Sequence, residues 1–199
     1  MKHDNEFIDT WHFVRRVEGW LEFDEACFLY DVAKHLDVEG CILEIGSYKG
    51  RSTICLARGS QEGKRFPVYA IDKFYGFPAS VDPSFLDTFK KNLAAAGCLN
   101  IVDVIVLSSD EAAFVFVHPI ALLFIDGSHD YEQVKKDYEN FSPLVVPGGV
   151  IIFHDYKYFP GVKKLVDEVK GNRKAVKYHS MCSQNLSNIA AWNTEVIDG

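Results

Sequence analysis

Two hydrophobic periodicities alternate along this chain, and that alternation restricts its fold more than any other feature. Cys41 to Gly46, Pro67 to Asp72, Ile101 to Leu107, Ala121 to Asp126 and Gly149 to Phe153 are short runs, mostly apolar on consecutive residues. Successive side chains of a strand point to opposite faces, so each of these runs needs cover on both sides. Between them lie stretches with apolar residues every three or four positions, the pattern of a helix with one buried face. The first precedes all the strands: Ala26, Leu29, Val32, Ala33 and Leu36 share a face, and Gly40 ends the run. Arg51 to Arg58 follows the first strand, and Asp82-Pro83 caps a stretch in which Phe85, Leu86, Phe89 and Leu93 align before Gly97. Tyr131 to Phe141 and Val162 to Val169 complete the helices, and Ala175 to Met181 with Leu186 to Trp192 read as a closing hairpin. Strands alternating with helices in this way predict an α/β architecture, a doubly wound, mostly parallel sheet with an antiparallel addition at its end.

A chain of 199 residues can bury a full core, roughly 70% of its unfolded surface. No repeat, low-complexity tract or linker divides it, so residues 1–199 are expected to form one domain. Phe7, Trp11, Phe13 and Trp20 cannot all face water without creating a sizeable apolar patch, which makes residues 1–20 a lid or interface segment. The balance of 21 basic against 28 acidic side chains, a net charge of -7, opposes binding to nucleic acid or to an anionic membrane. No apolar run approaches the roughly 18 to 20 residues of a membrane span, and a cytoplasmic location is expected. Cys27, Cys41, Cys55, Cys98 and Cys182 are scattered, without a C-x-x-C pair, and read as small core residues.

In an open α/β sheet ligands bind beyond the carboxyl ends of the strands, so the polar residues there are the candidates for chemistry. They are Glu44-Ile45-Gly46-Ser47-Tyr48-Lys49-Gly50-Arg51-Ser52, then Asp72, Ser108-Ser109-Asp110, Asp126-Gly127-Ser128-His129 and His154-Asp155. Gly46 and Gly50 either bring the first turn's backbone close to a bound molecule or serve the turn's own dihedral angles. Asp72 suits a carboxylate that holds a ribose diol. The spacing is neither G-x-G-x-x-G nor that of a P-loop, which weakens dinucleotide and nucleoside-triphosphate binding. Lys49 and Arg51 could neutralise a carboxylate, but read rather as solvated loop charges.

ILEIGSYKGRST resembles the first motif of class I methyltransferases that use S-adenosylmethionine, and VYAID resembles their second. IDGSHDYEQVKKDYENFSPLVVPGGVIIFHDY is similar to the small-molecule O-methyltransferases of the domain-24 type. The resemblance runs from about Phe23 to about Val169 and implies a Rossmann-like, seven-stranded sheet with a C-terminal antiparallel hairpin. It implies S-adenosylmethionine held by Glu44, Gly46, Ser47, Gly50, Ser52, Asp72, Ser109, Asp110 and Asp126. It further implies a divalent cation, Mg²⁺ or Mn²⁺, on Asp126 and Asp155, with His154 standing where metal-dependent members usually carry a second acid. The expected reaction is methyl transfer to a hydroxyl of a small molecule, possible by two routes. Either a cation acidifies the hydroxyl at Asp126 and Asp155, or His129 or His154 removes its proton. The rival readings are a metal-free methyltransferase with a histidine base, directed to oxygen or nitrogen, and a module that binds the cofactor or a nucleotide without catalysis. The expected partners are the small-molecule acceptor and a second copy of the chain.

Overall fold

The computed structural model describes residues 5–76, 80–81, 83–171 and 188–194. Its centre is a six-stranded sheet in the order β5-β2-β1-β6-β7-β8, built from β1 (Cys41–Ile45), β2 (Val68–Ile71), β5 (Val102–Ile105), β6 (Ile120–Ile125), β7 (Val145–Phe153) and β8 (Ala190–Asn193). The first five are parallel, and β8 lies antiparallel on β7, with Ile151 opposite Trp192. Sequence order reverses between β1 and β6, and this is where the crevice opens. Every residue of β1 and β6 is buried, as their unbroken apolar runs require.

Helices cover both faces. On one side α1 (Asn5–Val14), α2 (Phe23–Lys34), α3 (Arg51–Glu62) and α4 (Pro83–Ala95) enclose a core that includes Phe7, Phe28, Leu29, Ile54 and Phe89. On the other, α5 (Ser109–Ala112), α6 (Tyr131–Phe141) and α7 (Pro160–Lys170) enclose Leu123, Ile125, Val134, Phe153 and Trp192. No helix among the described residues is long and apolar enough to cross a membrane.

Several expectations need correction. The sheet has six strands among the described residues rather than seven. Of the closing hairpin only the second run is seen, shortened to β8; Ala175 to Met181 lies outside the described residues, as do Asp82 and Cys182. Helix α3 continues past Arg58 to Glu62, because Gly59 lets it pass close to α2: a side chain there would meet the Tyr30 carbonyl oxygen at 2.2 Å. Strand β7 starts at Val145, ahead of Gly149, with an irregularity in its pairing to β6. The loop after β2 contains a two-residue ribbon, β3 (Tyr75–Gly76) with β4 (Ser80–Val81), too short to leave a periodic signal. Cys27, Cys41, Cys55 and Cys98 are all buried, as expected of core residues.

Candidate functional site

A cavity of about 1550 Å³ lies over the carboxyl ends of β1, β2, β5, β6 and β7. Pockets for a single small ligand usually span about 300–1,000 Å³, so this one has room for two molecules side by side. Its floor comes from strand ends and its rim from the segment between α1 and α2, the start of α2, the residues after β7, and Asn188.

One end is built from the β1–α3 loop and Asp72. Asp72 Oδ2 accepts the backbone N–H groups of Ser47 and Tyr48 at 2.9 and 2.8 Å, and Oδ1 accepts that of Phe74 at 2.6 Å. The loop thus takes its shape from a carboxylate on the neighbouring strand. A carboxylate has about four acceptor positions, so Asp72, which lines the cavity, keeps one for a ligand. Gly46 and Gly50 both have positive φ, +88° and +89°. A side chain on Gly46 would strike the Asp126 carbonyl oxygen at 2.3 Å, so what approaches this glycine is the chain's own β6 turn. Gly50 is the left-handed N-cap of α3, beside the Phe89 ring.

Glu44 departs from its expected place. It is fully buried beneath the loop and absent from the cavity wall, accepting the Ser52 hydroxyl at 2.6 Å and the Thr53 hydroxyl as well. Burial pushes its carboxyl up to about 7, against the pull of these hydroxyl donors. Ser47, Ser52, Asp72, Ser109, Asp110 and Asp126 do line the cavity. Ser109 also donates to Asp137 at 2.6 Å, and Gln133 bridges Asp110 and Asp137 at 3.1 Å each. Withdrawal from water raises the Asp137 carboxyl despite these donors.

At the other end the ends of β6 and β7 bring together Asp126, His154 and Asp155, whose donor atoms lie within 4.8 Å of one another. The parallel pairing of Ile125 with Phe153 sets this convergence. Asp155 has φ +61°, an unusual conformation for a non-glycine residue, and lies 2.7 Å from His129 Nε2 through Oδ2. The His129 ring stacks on Phe159 at 3.8 Å. His154 is 3% exposed; its Nδ1 is 3.1 Å from Asp126 Oδ1 and 3.4 Å from Asp155 Oδ2, and its Nε2 is 3.3 Å from Glu25 Oε2. Neither nitrogen makes a well-aligned hydrogen bond, so charge holds the ring in place. Burial opposes the charged ring, but Asp126 above all, then Asp155 and Glu25, push its pKa up to about 12. Burial alone would raise the Asp155 carboxyl, yet His129 and His154 hold it well below the usual range. Asp126 goes the other way, raised by burial against the pull of His154.

Glu25 and Asn188 were not singled out in the sequence. The Glu22 and Glu25 capping box was the one readable signal for Glu25, and Asn188 left none. Lys49 and Arg51 are not solvated charges: Lys49 Nζ pairs with Glu18 at 2.6 Å, and Arg51 donates to the Gly19 carbonyl beside the Trp11 ring. Tyr48 donates to the other oxygen of Glu18 at 2.7 Å and supports Trp20, whose ring centroid is 5.5 Å away.

Residues 43–156 match the family described as methyltransferase domain, type 24, more than half of the chain. The chain belongs to this family. It therefore carries a methyltransferase domain of this type. It is 36% identical over 78 residues to an uncharacterized protein of Acanthamoeba polyphaga mimivirus, an overlap of 36% of this chain and 35% of that one. The chain thus spans about a third of the length of that curated relative. Solved structures that share the fold include two O-methyltransferases. The O-methyltransferase TomG from Streptomyces achromogenes, in complex with S-adenosylmethionine, is 19% identical with a TM-score of 0.64, covering 97% of this chain and 91% of its own. An O-methyltransferase from Bacillus cereus, in complex with S-adenosylhomocysteine, is 17% identical with a TM-score of 0.64, covering 98% and 93%.

Proposed function

We propose that this methyltransferase moves the methyl group of S-adenosylmethionine to a hydroxyl of a small molecule. The observation that carries the reading is one continuous cavity, with the Asp72 loop at one end and the Asp126, His154 and Asp155 cluster at the other. The sulfonium methyl is already activated, so the protein's work is to align the acceptor and take its proton. At the cofactor end, Asp72 offers its remaining acceptor position to the ribose, and the Gly46, Ser47, Gly50 and Ser52 loop borders the methionine end. Ser109 and Asp110, with Gln133 and Asp137 behind them, border the adenine. Glu44 acts from beneath, by fixing Ser52 and Thr53.

At the acceptor end the donor set fits a divalent cation. Two carboxylates and a buried imidazole nitrogen without an aligned partner converge within ligand reach, and a cation bound there would take over the positive charge that the His154 ring supplies between Asp126 and Asp155. Asp126, His154 and Asp155 would hold it, and its chemistry there would be to lower the pKa of the acceptor hydroxyl. Two carboxylates alone suit Mg²⁺, while a histidine in the set moves the preference toward Mn²⁺ or Fe²⁺. A second reading rests on the His129 to Asp155 contact of 2.7 Å: Asp155 orients the ring through Nε2, and Nδ1 takes the acceptor proton without a metal.

The test is calorimetry of the full chain with S-adenosylhomocysteine, followed by turnover on a panel of phenols and sugars with and without chelator. Binding followed by methylated oxygen supports the proposal, and no binding rejects it. Binding without turnover on any acceptor leaves a cofactor-binding module. Activity that chelator abolishes and one divalent ion restores selects the metal route, whereas full activity in chelator rejects the metal and leaves His129 or His154 as the base.

A further inference from the structure

We infer that Glu25 is the outer partner of His154 in the cation site, a positioning residue whose carboxylate charge beside Nε2 keeps Nδ1 turned toward Asp126 and Asp155. This rests on the metal reading proposed above and assigns it a residue far from His154 in sequence.

Glu25 sits in the first turn of α2 and is 5% exposed. As a helix cap it needs only to accept the Glu22 N–H, which its Oε2 does at 2.8 Å. A capping carboxylate normally does this in water, and burying one costs several kcal/mol unless donors or a positive charge compensate. Two compensating groups are present. His154 Nε2 lies 3.3 Å from the same Oε2, and Asn188 Nδ2 donates to Oε1 at 3.2 Å. Asn188 Nδ2 is also 3.2 Å from Asp155 Oδ1, so one amide ties the outer carboxylate to an inner one.

The two nitrogens of an imidazole point away from each other. One that faces Glu25 with Nε2 must turn Nδ1 toward Asp126 and Asp155, as observed. This is the carboxylate–histidine–metal order, in which the outer acid fixes the tautomer and makes the inner nitrogen more basic. A residue that served only to cap α2 would have no reason to lie against the back of this ring. Outer partners of this type change metal affinity by about 10- to 100-fold.

The experiment titrates the full chain, freed of metal, with Mn²⁺ by calorimetry, and records ¹⁵N spectra of the histidine rings in the Zn²⁺-loaded protein. Glu25→Ala is expected to weaken Mn²⁺ binding by about 10- to 100-fold, and Glu25→Gln, which keeps an acceptor for Nε2–H without its charge, by less. Glu22→Ala, which removes the other half of the cap, should lower the melting temperature while leaving Mn²⁺ affinity as in the parent. The spectra should show His154 metal-bound at Nδ1 and protonated at Nε2 in the parent, and a loss of that single state in Glu25→Ala. If Glu25→Ala does not fold, Glu25→Gln decides. Parent-like Mn²⁺ affinity in the Glu25 variants, an equal loss in Glu22→Ala, or ligation through Nε2 would overturn the assignment. A parent that binds S-adenosylhomocysteine but no divalent ion removes the metal reading and this role together, leaving the methyltransferase reading intact.

Discussion

Asp72 shows how one side chain serves both the fold and the site. Its three backbone donors shape the β1–α3 loop, and its remaining acceptor position faces the cavity. Asp72→Ala should therefore weaken S-adenosylhomocysteine binding by about 2–4 kcal/mol, through one lost charge-assisted hydrogen bond to the ribose and a loosened loop. Calorimetry on both proteins measures this, and unchanged affinity would remove Asp72 from the cofactor site. Glu44 gives a prediction with a definite sign. Its pKa is raised from 4.5 to about 7 in the folded protein, so between these values the folded state binds a proton that the unfolded state has released. Stability from this group is fully present below about pH 4.5 and is lost as pH rises toward 7. At about 1.36 kcal/mol per pKa unit the loss is on the order of 3 kcal/mol. Glu44→Gln removes that titration while keeping a polar group against Ser52 and Thr53. Denaturant unfolding of the two proteins should show the variant gaining on the parent from pH 4.5 to 7, and parallel curves would refute the account.

Among the elements, the N-terminal segment changes most from what its sequence conveyed. Phe7 and Val14 of α1 are fully buried against α2 and α3, and Val17 and Leu21 continue that core toward the cavity. The segment is therefore a structural wall: deleting it to Trp20 should unfold the chain rather than only remove a lid, as circular dichroism would show. Trp20 is the informative position, because it lines the cavity while 79% exposed, and the Tyr48 ring supports it without a covering layer. Trp20→Ala should leave the melting temperature within a degree or two, since exposed substitutions usually cost within about 0.5 kcal/mol. It should also raise the acceptor's KM while S-adenosylhomocysteine affinity holds. An unchanged KM would place Trp20 outside the acceptor's reach.

For the molecule as a whole, a site assembled from several segments should couple ligand binding to global stability. If a divalent cation binds the folded state alone, a concentration of 100 times its Kd should stabilise the protein by about 2.7 kcal/mol. Asp155→Ala should abolish that gain and keep S-adenosylhomocysteine affinity; thermal shifts with and without Mn²⁺ check it, and an equal shift in both proteins would place the ion elsewhere. What the sequence determined alone is the part written in local periodicity. Apolar runs buried on both faces specify parallel strands, the loops at their carboxyl ends specify where ligands lie, and Asp72, Asp126, His154 and Asp155 were legible because each closes or follows a strand. Strand ends that pair in parallel must converge, so Asp126 and Asp155 could be brought together on paper. Glu25, Asn188 and the Glu18 clamp on Tyr48 and Lys49 were not legible, since their partners are distant in sequence and leave no period or spacing behind. Nor could the sequence tell that Glu44 lies beneath the cavity or that β6 crowds Gly46. Only the tertiary structure decided these, because burial and the charge balance around a group such as His154 are sums over every segment packed against it.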